Sequence, residues 1–213
     1  KSNAGTGNTN CETCPAGRIV EEKSPLSCSI CPAGTYQKDS HLDETIECKN
    51  CIGTYIVDIG EDDSKHDDES DCKHCTAGRK FVSTTAACSM CGAGQYQNEI
   101  DKAGASCKDC IGKYILDLEA DDTDTNHDEE SDCKHCIKGK MFVSITEGCT
   151  TCDAGMYQDR SDAFSPACKL CIGMYIVNEG TTRLATEHES CKHCDVGKEF
   201  VSTTTECNIC SAG

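Results

Sequence analysis

Cys31-Pro-Ala-Gly-Thr-Tyr-Gln37 opens a short unit that ends at Cys48-Lys-Asn-Cys51. A cysteine is followed by a glycine and an aromatic, then by an irregular polar stretch. A Cys-x-x-Cys pair closes the unit and opens the next. The other residues of the 213 repeat this pattern with variations, so its reading decides the fold.

All 22 cysteines fall into Cys-x-x-Cys pairs, a density of about 10% that marks a disulfide scaffold. Trp is absent and Tyr and Phe total ten. A chain this polar cannot bury one large core, so cross-links must supply what apolar burial does not. Disulfides in such number persist in oxidising compartments, which predicts an extracellular protein, secreted or at the cell surface. No 18-residue apolar run and no signal-like N-terminus occur, so a mature, soluble piece without membrane insertion is expected. The net charge of −17 argues against nucleic acid or an anionic membrane as partner, since Lys and Arg bind both.

Three long repeats begin at Cys31, Cys91 and Cys152, the last closing near Cys210. Each holds three kinds of module. The first kind reads Cys31-Pro-Ala-Gly-Thr-Tyr-Gln, Cys91-Gly-Ala-Gly-Gln-Tyr-Gln and Cys152-Asp-Ala-Gly-Met-Tyr-Gln. The second begins Cys51-Ile-Gly, Cys110-Ile-Gly and Cys171-Ile-Gly and ends in Cys-Lys-His-Cys. The third is shortest and carries Phe81, Phe142 or Phe200 before Val-Ser. The organisation expected is a partial repeat (a short third-kind module) at 1–30, long repeats at 31–90, 91–151 and 152–210, and the start of a further module at 211–213. The ends break inside the pattern: either the array continues, or the two ends complete one another between molecules.

Tyr36, Tyr55, Phe81, Tyr96, Tyr114, Phe142, Tyr157, Tyr175 and Phe200 occupy the same place in their modules, and only Phe164 is elsewhere. An aromatic there can lie over a disulfide and give its module a plug in place of a core. Runs such as Tyr55-Ile56-Val57 and Phe81-Val82-Ser83 read as strands of small hairpins. No stretch has a sustained helical period. The fold class expected is a small disulfide-rich, mostly irregular fold with short β-hairpins, an elongated tandem-repeat rod without a single large core.

Eleven Cys-x-x-Cys copies in loop-rich sequence do not suit a redox motif, and none is followed by the His of haem attachment. Zinc is the rival, because paired Cys-x-x-Cys is a knuckle spacing. Five four-cysteine sites would take the charge to roughly −27 with no basic surround. Sequence alone leaves connectivity open. The pattern suggests a serial scheme in which each pair's second cysteine bonds the next pair's first: Cys14–Cys28, Cys31–Cys48, Cys51–Cys72, Cys75–Cys88, Cys91–Cys107, Cys110–Cys133, Cys136–Cys149, Cys152–Cys168, Cys171–Cys191 and Cys194–Cys207. Cys11 and Cys210 are left unpaired or intermolecular.

Cys-x-x-Cys-Pro-Ala-Gly-Thr-Tyr with a further Cys-x-x-Cys beyond it resembles the EGF-like cysteine-rich repeats of ephrin-receptor-like proteins and tumour necrosis factor receptor modules. The resemblance runs from Cys11 to Gly213. It implies modules stacked end to end, each opening closed by the following cysteine, which supports the serial scheme. The crossed cysteine pairs of a full receptor module are absent.

The second-kind modules hold acidic loops, with eight acids in 58–71 and nine in 117–132. Asp121, Asp122 and Asp124, with Asp62 and Asp63, are calcium candidates, although the loop glycine is replaced by His127; a solvated charged loop is the plainer reading. His66, His127 and His188 recur in these loops and could lower local repulsion if protonated. His74, His135 and His193 are expected exposed or packed on a neighbour. Ser83-Thr84-Thr85 and Ser202-Thr203-Thr204-Thr205 are candidate O-glycosylation clusters. No catalytic constellation appears, so no enzyme and no obligate cofactor are expected. The function expected is a structural subunit of an extracellular filament, appendage or matrix fibre, partnered by itself head to tail and by other extracellular proteins or glycans; a receptor or adhesion ectodomain is the alternative.

Overall fold

The computed structural model describes residues 13–21, 27–41, 45–58, 62–116, 124–178 and 184–211. Cys11, Asp121 and Asp122 lie outside them. Two compact units emerge, Lys1–Ser89 with Glu99–Ser106, and Met90–Asn98 with Cys107–Gly213.

In the first unit, β1 (Arg18–Glu21) pairs antiparallel with β2 (Ser27–Ile30), and β3 (Thr35–Tyr36) with β4 (Lys49–Asn50). β5 (Arg79–Lys80) follows, and β6 (Ser89–Met90) marks the boundary. In the second unit, β7 (Gln95–Tyr96) pairs with β8 (Lys108–Asp109), β9 (Lys140–Ser144) with β10 (Gly148–Thr151), β11 (Met156–Tyr157) with β12 (Lys169–Leu170), and β13 (Lys198–Glu199) with β14 (Asn208–Ile209). Every described sheet is two-stranded. The fold is therefore disulfide-rich and mostly irregular, with short hairpins and no large core.

The hairpins do not lie where β-branched composition placed them. The strands β4, β8, β12 and β14 are the two residues inside a Cys-x-x-Cys pair, and their partners are the two residues after the module glycine. Tyr55, expected in a strand, makes one isolated bridge to Lys73. Disulfide closure explains the difference. It brings the cysteine pair back over the module opening, and the backbone between those anchored cysteines pairs with it. Of the Phe-Val-Ser runs, Phe142-Val143-Ser144 joins a longer hairpin, with a bulge at Gly148/Cys149.

Ten disulfides join Cys14–Cys28, Cys31–Cys48, Cys51–Cys72, Cys75–Cys88, Cys91–Cys107, Cys110–Cys133, Cys136–Cys149, Cys152–Cys168, Cys171–Cys191 and Cys194–Cys207. Their Cα atoms are 5.6–5.8 Å apart, a normal disulfide span.

The tyrosines Tyr36, Tyr55 and Tyr96 act between modules. Tyr36 clusters with Cys51, Ile56 and Cys72, the disulfide of the module after its own. Tyr55 and Phe81 pack on Cys75, Cys88 and Ala105, and Tyr96 on Cys110, Ile115 and Cys133. A loop of 13 to 23 residues has little interior of its own, so the tyrosine rings find apolar surface on the next disulfide, while Phe81 lies on the disulfide of its own module and on Ala105 of the next. Phe200 has no such cover and is 43% exposed.

Candidate functional site

The joint between first- and second-kind modules is built the same way three times. Gly34 N–H donates to the Ile56 carbonyl (2.9 Å), Gly94 N–H to Ile115 (2.9 Å) and Gly155 N–H to Ile176 (2.9 Å). The glycine carbonyls accept from Cys51, Cys110 and Cys171. Gly34 stands at φ +77 with Thr84 against the place a Cβ would take. Both the backbone conformation and the close approach therefore require glycine there.

One residue past the tyrosine, Gln37, Gln97 and Gln158 donate their N–H to the carbonyls of His66, His127 and His188 (2.8, 2.8 and 2.9 Å). The same histidines set Nδ1 at 2.8, 2.7 and 3.0 Å from the carbonyls of Thr35, Gln95 and Met156. A carbonyl only accepts, so Nδ1 carries the proton. All three imidazoles are fully buried, and the three glutamines nearly so. Gln158 also donates Nε2 to the Ile137 and Lys140 carbonyls of the preceding module. These histidines are enclosed rather than solvated, and His66 Nε2 lies 3.7 Å from the Asp58 carboxylate. Each is the centre around which the loop folds and the bond that holds it to the module before. The recurrence of Tyr-Gln and of one His per loop was the available signal.

The acidic loops are ordered by their own carboxylates. Short 3-10 turns run at Asp63–Lys65, Glu69–Asp71, Asp124–Asn126, Glu130–Asp132 and Ala185–His188. Asp62 accepts from Ser64 N–H and Oγ (3.1 and 2.6 Å), and Asp71 from the N–H groups of Asp67 and Asp68 (3.0 and 2.9 Å). Free helical N–H groups select short acids at these positions. Asp63 instead pairs with Arg18 at 2.6 Å. Two of the calcium candidates are thus a cap and an ion-pair partner. Among the described residues no cluster of three or more His, Cys, Asp or Glu could hold an ion.

Two carboxyls in these loops are held above the usual carboxylate range. Burial first, then Asp71 beside it, raises the Asp67 pKa, and burial with Asp132 does the same at Asp128. A carboxyl raised on folding stabilises the fold most at low pH, and that contribution is lost as pH rises through its folded value.

The first-kind loops also reach back, to the second-kind module two places before and to the third-kind module just before. In the first unit Gly104 N–H donates to the Gly53 carbonyl (2.7 Å) and Phe81 N–H to Ala105 (2.8 Å). In the second, Ser165 N–H donates to Gly112 (3.0 Å) and Phe142 N–H to Pro166 (2.8 Å). The loop carrying this last pair also carries Phe164, the aromatic outside the repeated position, and it is 66% exposed. The His135 ring meets it edge-on at 5.4 Å and Lys113 Nζ lies 5.4 Å from its centroid. His74 and His193 are exposed.

Cys210 is a free, exposed thiol. Its N–H donates to the Gly197 carbonyl as Cys31 donates to Gly17 and Cys152 to Gly139, yet Cys31 and Cys152 are disulfide-bonded.

Serial disulfides, Gly-x-Tyr turns and recurrent joints define a cysteine-rich module array. No protein-family model matches the chain. The chain is similar to the mouse (Mus musculus) signal peptide, CUB and EGF-like domain-containing protein 2, with 25% identity over 160 residues. That alignment covers 70% of the chain and spans 14% of the relative's length. With ten disulfides, the likeness supports a cysteine-rich extracellular type of module and favours an extracellular location. No described helix is long and apolar enough to cross a membrane.

Proposed function

We propose that this chain is a non-enzymatic structural protein, a disulfide-stapled tandem-repeat subunit of an extracellular filament, appendage or matrix fibre, adding copies of itself head to tail. The recurring joint carries this reading: the buried Gln and His pairs, the most enclosed polar side chains among the described residues, hold one module to the next. Stability in such an array comes from each module and its contact with the next, so a joint repeated three times suits an extended array. An oxidant of an oxidising compartment, taking up two electrons and two protons, would join the exposed Cys210 thiol to Cys11 of the next copy, the cysteine the serial scheme leaves over at the other end, and so link copies head to tail.

Electron microscopy of native material, with a non-reducing gel beside it, tests the proposal. Fibres, and a ladder that collapses on reduction, are expected. A protein monomeric at every concentration, with no covalent oligomer, contradicts it. The second reading, a receptor or adhesion ectodomain, draws support from exposed Phe164, because a binding face concentrates on a few aromatic anchors. A downstream transmembrane segment with a cytoplasmic domain in the full-length gene would favour that reading.

A further inference from the structure

Among the described residues five buried side-chain atoms lack a hydrogen-bond partner, and three of them belong to one loop: Asn178 Oδ1, Glu187 Oε2 and His188 Nε2. All three are acceptors. His188 carries its proton on Nδ1, 3.0 Å from the Met156 carbonyl, so Nε2 presents a lone pair. An amide oxygen and an ionised carboxylate only accept. The His188 side chain is fully buried, and a buried polar atom is costly without a partner. A water has two hydrogens to offer three acceptors; a cation meets all of them.

The first long repeat fills the same place from within. Asn178 follows Tyr175-Ile176-Val177 as Asp58 follows Tyr55-Ile56-Val57, and Glu187-His188 stands where Lys65-His66 stands. There the Asp58 carboxylate meets Lys65 Nζ at 3.0 Å and His66 Nε2 at 3.7 Å. Neighbouring residues at the end of this 3-10 turn therefore reach one group. The two loops share a backbone frame, since Ile56 and Ile176 accept from Gly34 and Gly155, and His66 and His188 from Gln37 and Gln158. Exchange of Lys65 for Glu187 removes the ammonium that the first repeat supplies and puts a carboxylate in its place.

We infer that Asn178, Glu187 and His188 bind a divalent transition-metal ion, which takes the part of the Lys65 ammonium in the third long repeat. The imidazole nitrogen selects the class: zinc and its neighbours accept such a donor, whereas calcium and magnesium prefer oxygen alone. The bond from His188 Nδ1–H to a backbone carbonyl is the outer contact that orients a metal-bound imidazole and raises its basicity. Asn178 supplies the third donor, so the set differs from the clusters of His, Cys, Asp and Glu considered above. Three protein donors leave a position for water. The ion ties residue 178 to the turn at Ala185–His188, and His188 in turn holds Gln158 across the joint. The site does not depend on the fibre reading.

Calorimetric titration of metal-free, thiol-blocked protein with Zn²⁺ tests this, read beside the ring resonances of ¹⁵N-labelled histidine, with intact mass confirming the disulfides in every variant. Wild type is expected to take up one equivalent, and the Nε2 resonance of His188 shifts with it. Glu187→Lys, which restores the arrangement of the first repeat, weakens binding by more than about 100-fold, beyond the loss of an outer contact. Asn178→Asp tightens it, because a carboxylate replaces an amide. Lys65→Glu creates a second equivalent at His66, a gain that misfolding cannot imitate. A wild type that takes up no Zn²⁺, or Glu187→Lys protein that binds as well as wild type through exposed histidines such as His74 and His193, overturns the site. Displacement of Zn²⁺ by an equal concentration of Ca²⁺ overturns the choice of a transition metal. A Lys65→Glu variant without the second equivalent overturns the equivalence of lysine and ion.

Discussion

A Cys110→Ala, Cys133→Ala variant loses about 3 kcal/mol of stability from loop closure alone and more from the packing that the disulfide supports. Its loop, 23 residues in sequence separation, is the longest of the ten, and loop-closure entropy grows with length. Tyr96 and Ile115 rest on this disulfide, so its removal also opens the joint to the preceding module. The effect should therefore extend past the altered module. Native-state hydrogen exchange is the measurement: protection falls at Gly94 and Gln97, whose amides bond across that joint. Loss confined to residues 110–133 would show that modules fold independently.

The second large effect belongs to Gly139→Val. Gly139 sits at φ +76, and a Cβ there would overlap the backbone carbonyl of Ala185, which belongs to the second-kind module two places on. A β-branched residue is strained at positive φ, and backbone cannot move aside as a flexible side chain does. Destabilisation of about 3 kcal/mol or more is expected by chemical denaturation. Gly197→Val separates the two causes: that glycine stands at φ +84 with nothing within 4 Å of its Cβ position. It should suffer only the conformational part, about 1–2 kcal/mol. Equal losses at the two sites would remove the contact between alternate modules from the account.

The module rhythm was legible in the sequence because cysteine spacing is a covalent constraint that later packing does not override. The glycine before each aromatic was legible for a related reason, since a tight turn excludes other residues. What the aromatics touch was not. Tyr36 resting on Cys51–Cys72 depends on where one loop leaves its neighbour, which no local pattern encodes. The histidines were harder still. His66 and His127 lie in runs of Asp and Glu that read as solvated, and only their identical spacing set them apart. Phe164 could be recognised as irregular but not as exposed, because its exposure follows from the bonds of Ala163 and Ser165.

Non-reducing digestion of thiol-blocked native protein, with mass spectrometry of the linked peptides, tests the central claim most directly. The expected result is ten linkages, each joining the second cysteine of one pair to the first of the next, as in Cys51–Cys72 and Cys75–Cys88. Linkages within a pair such as Cys48 to Cys51, crossed linkages between modules, or cysteines recovered reduced with bound zinc would contradict it.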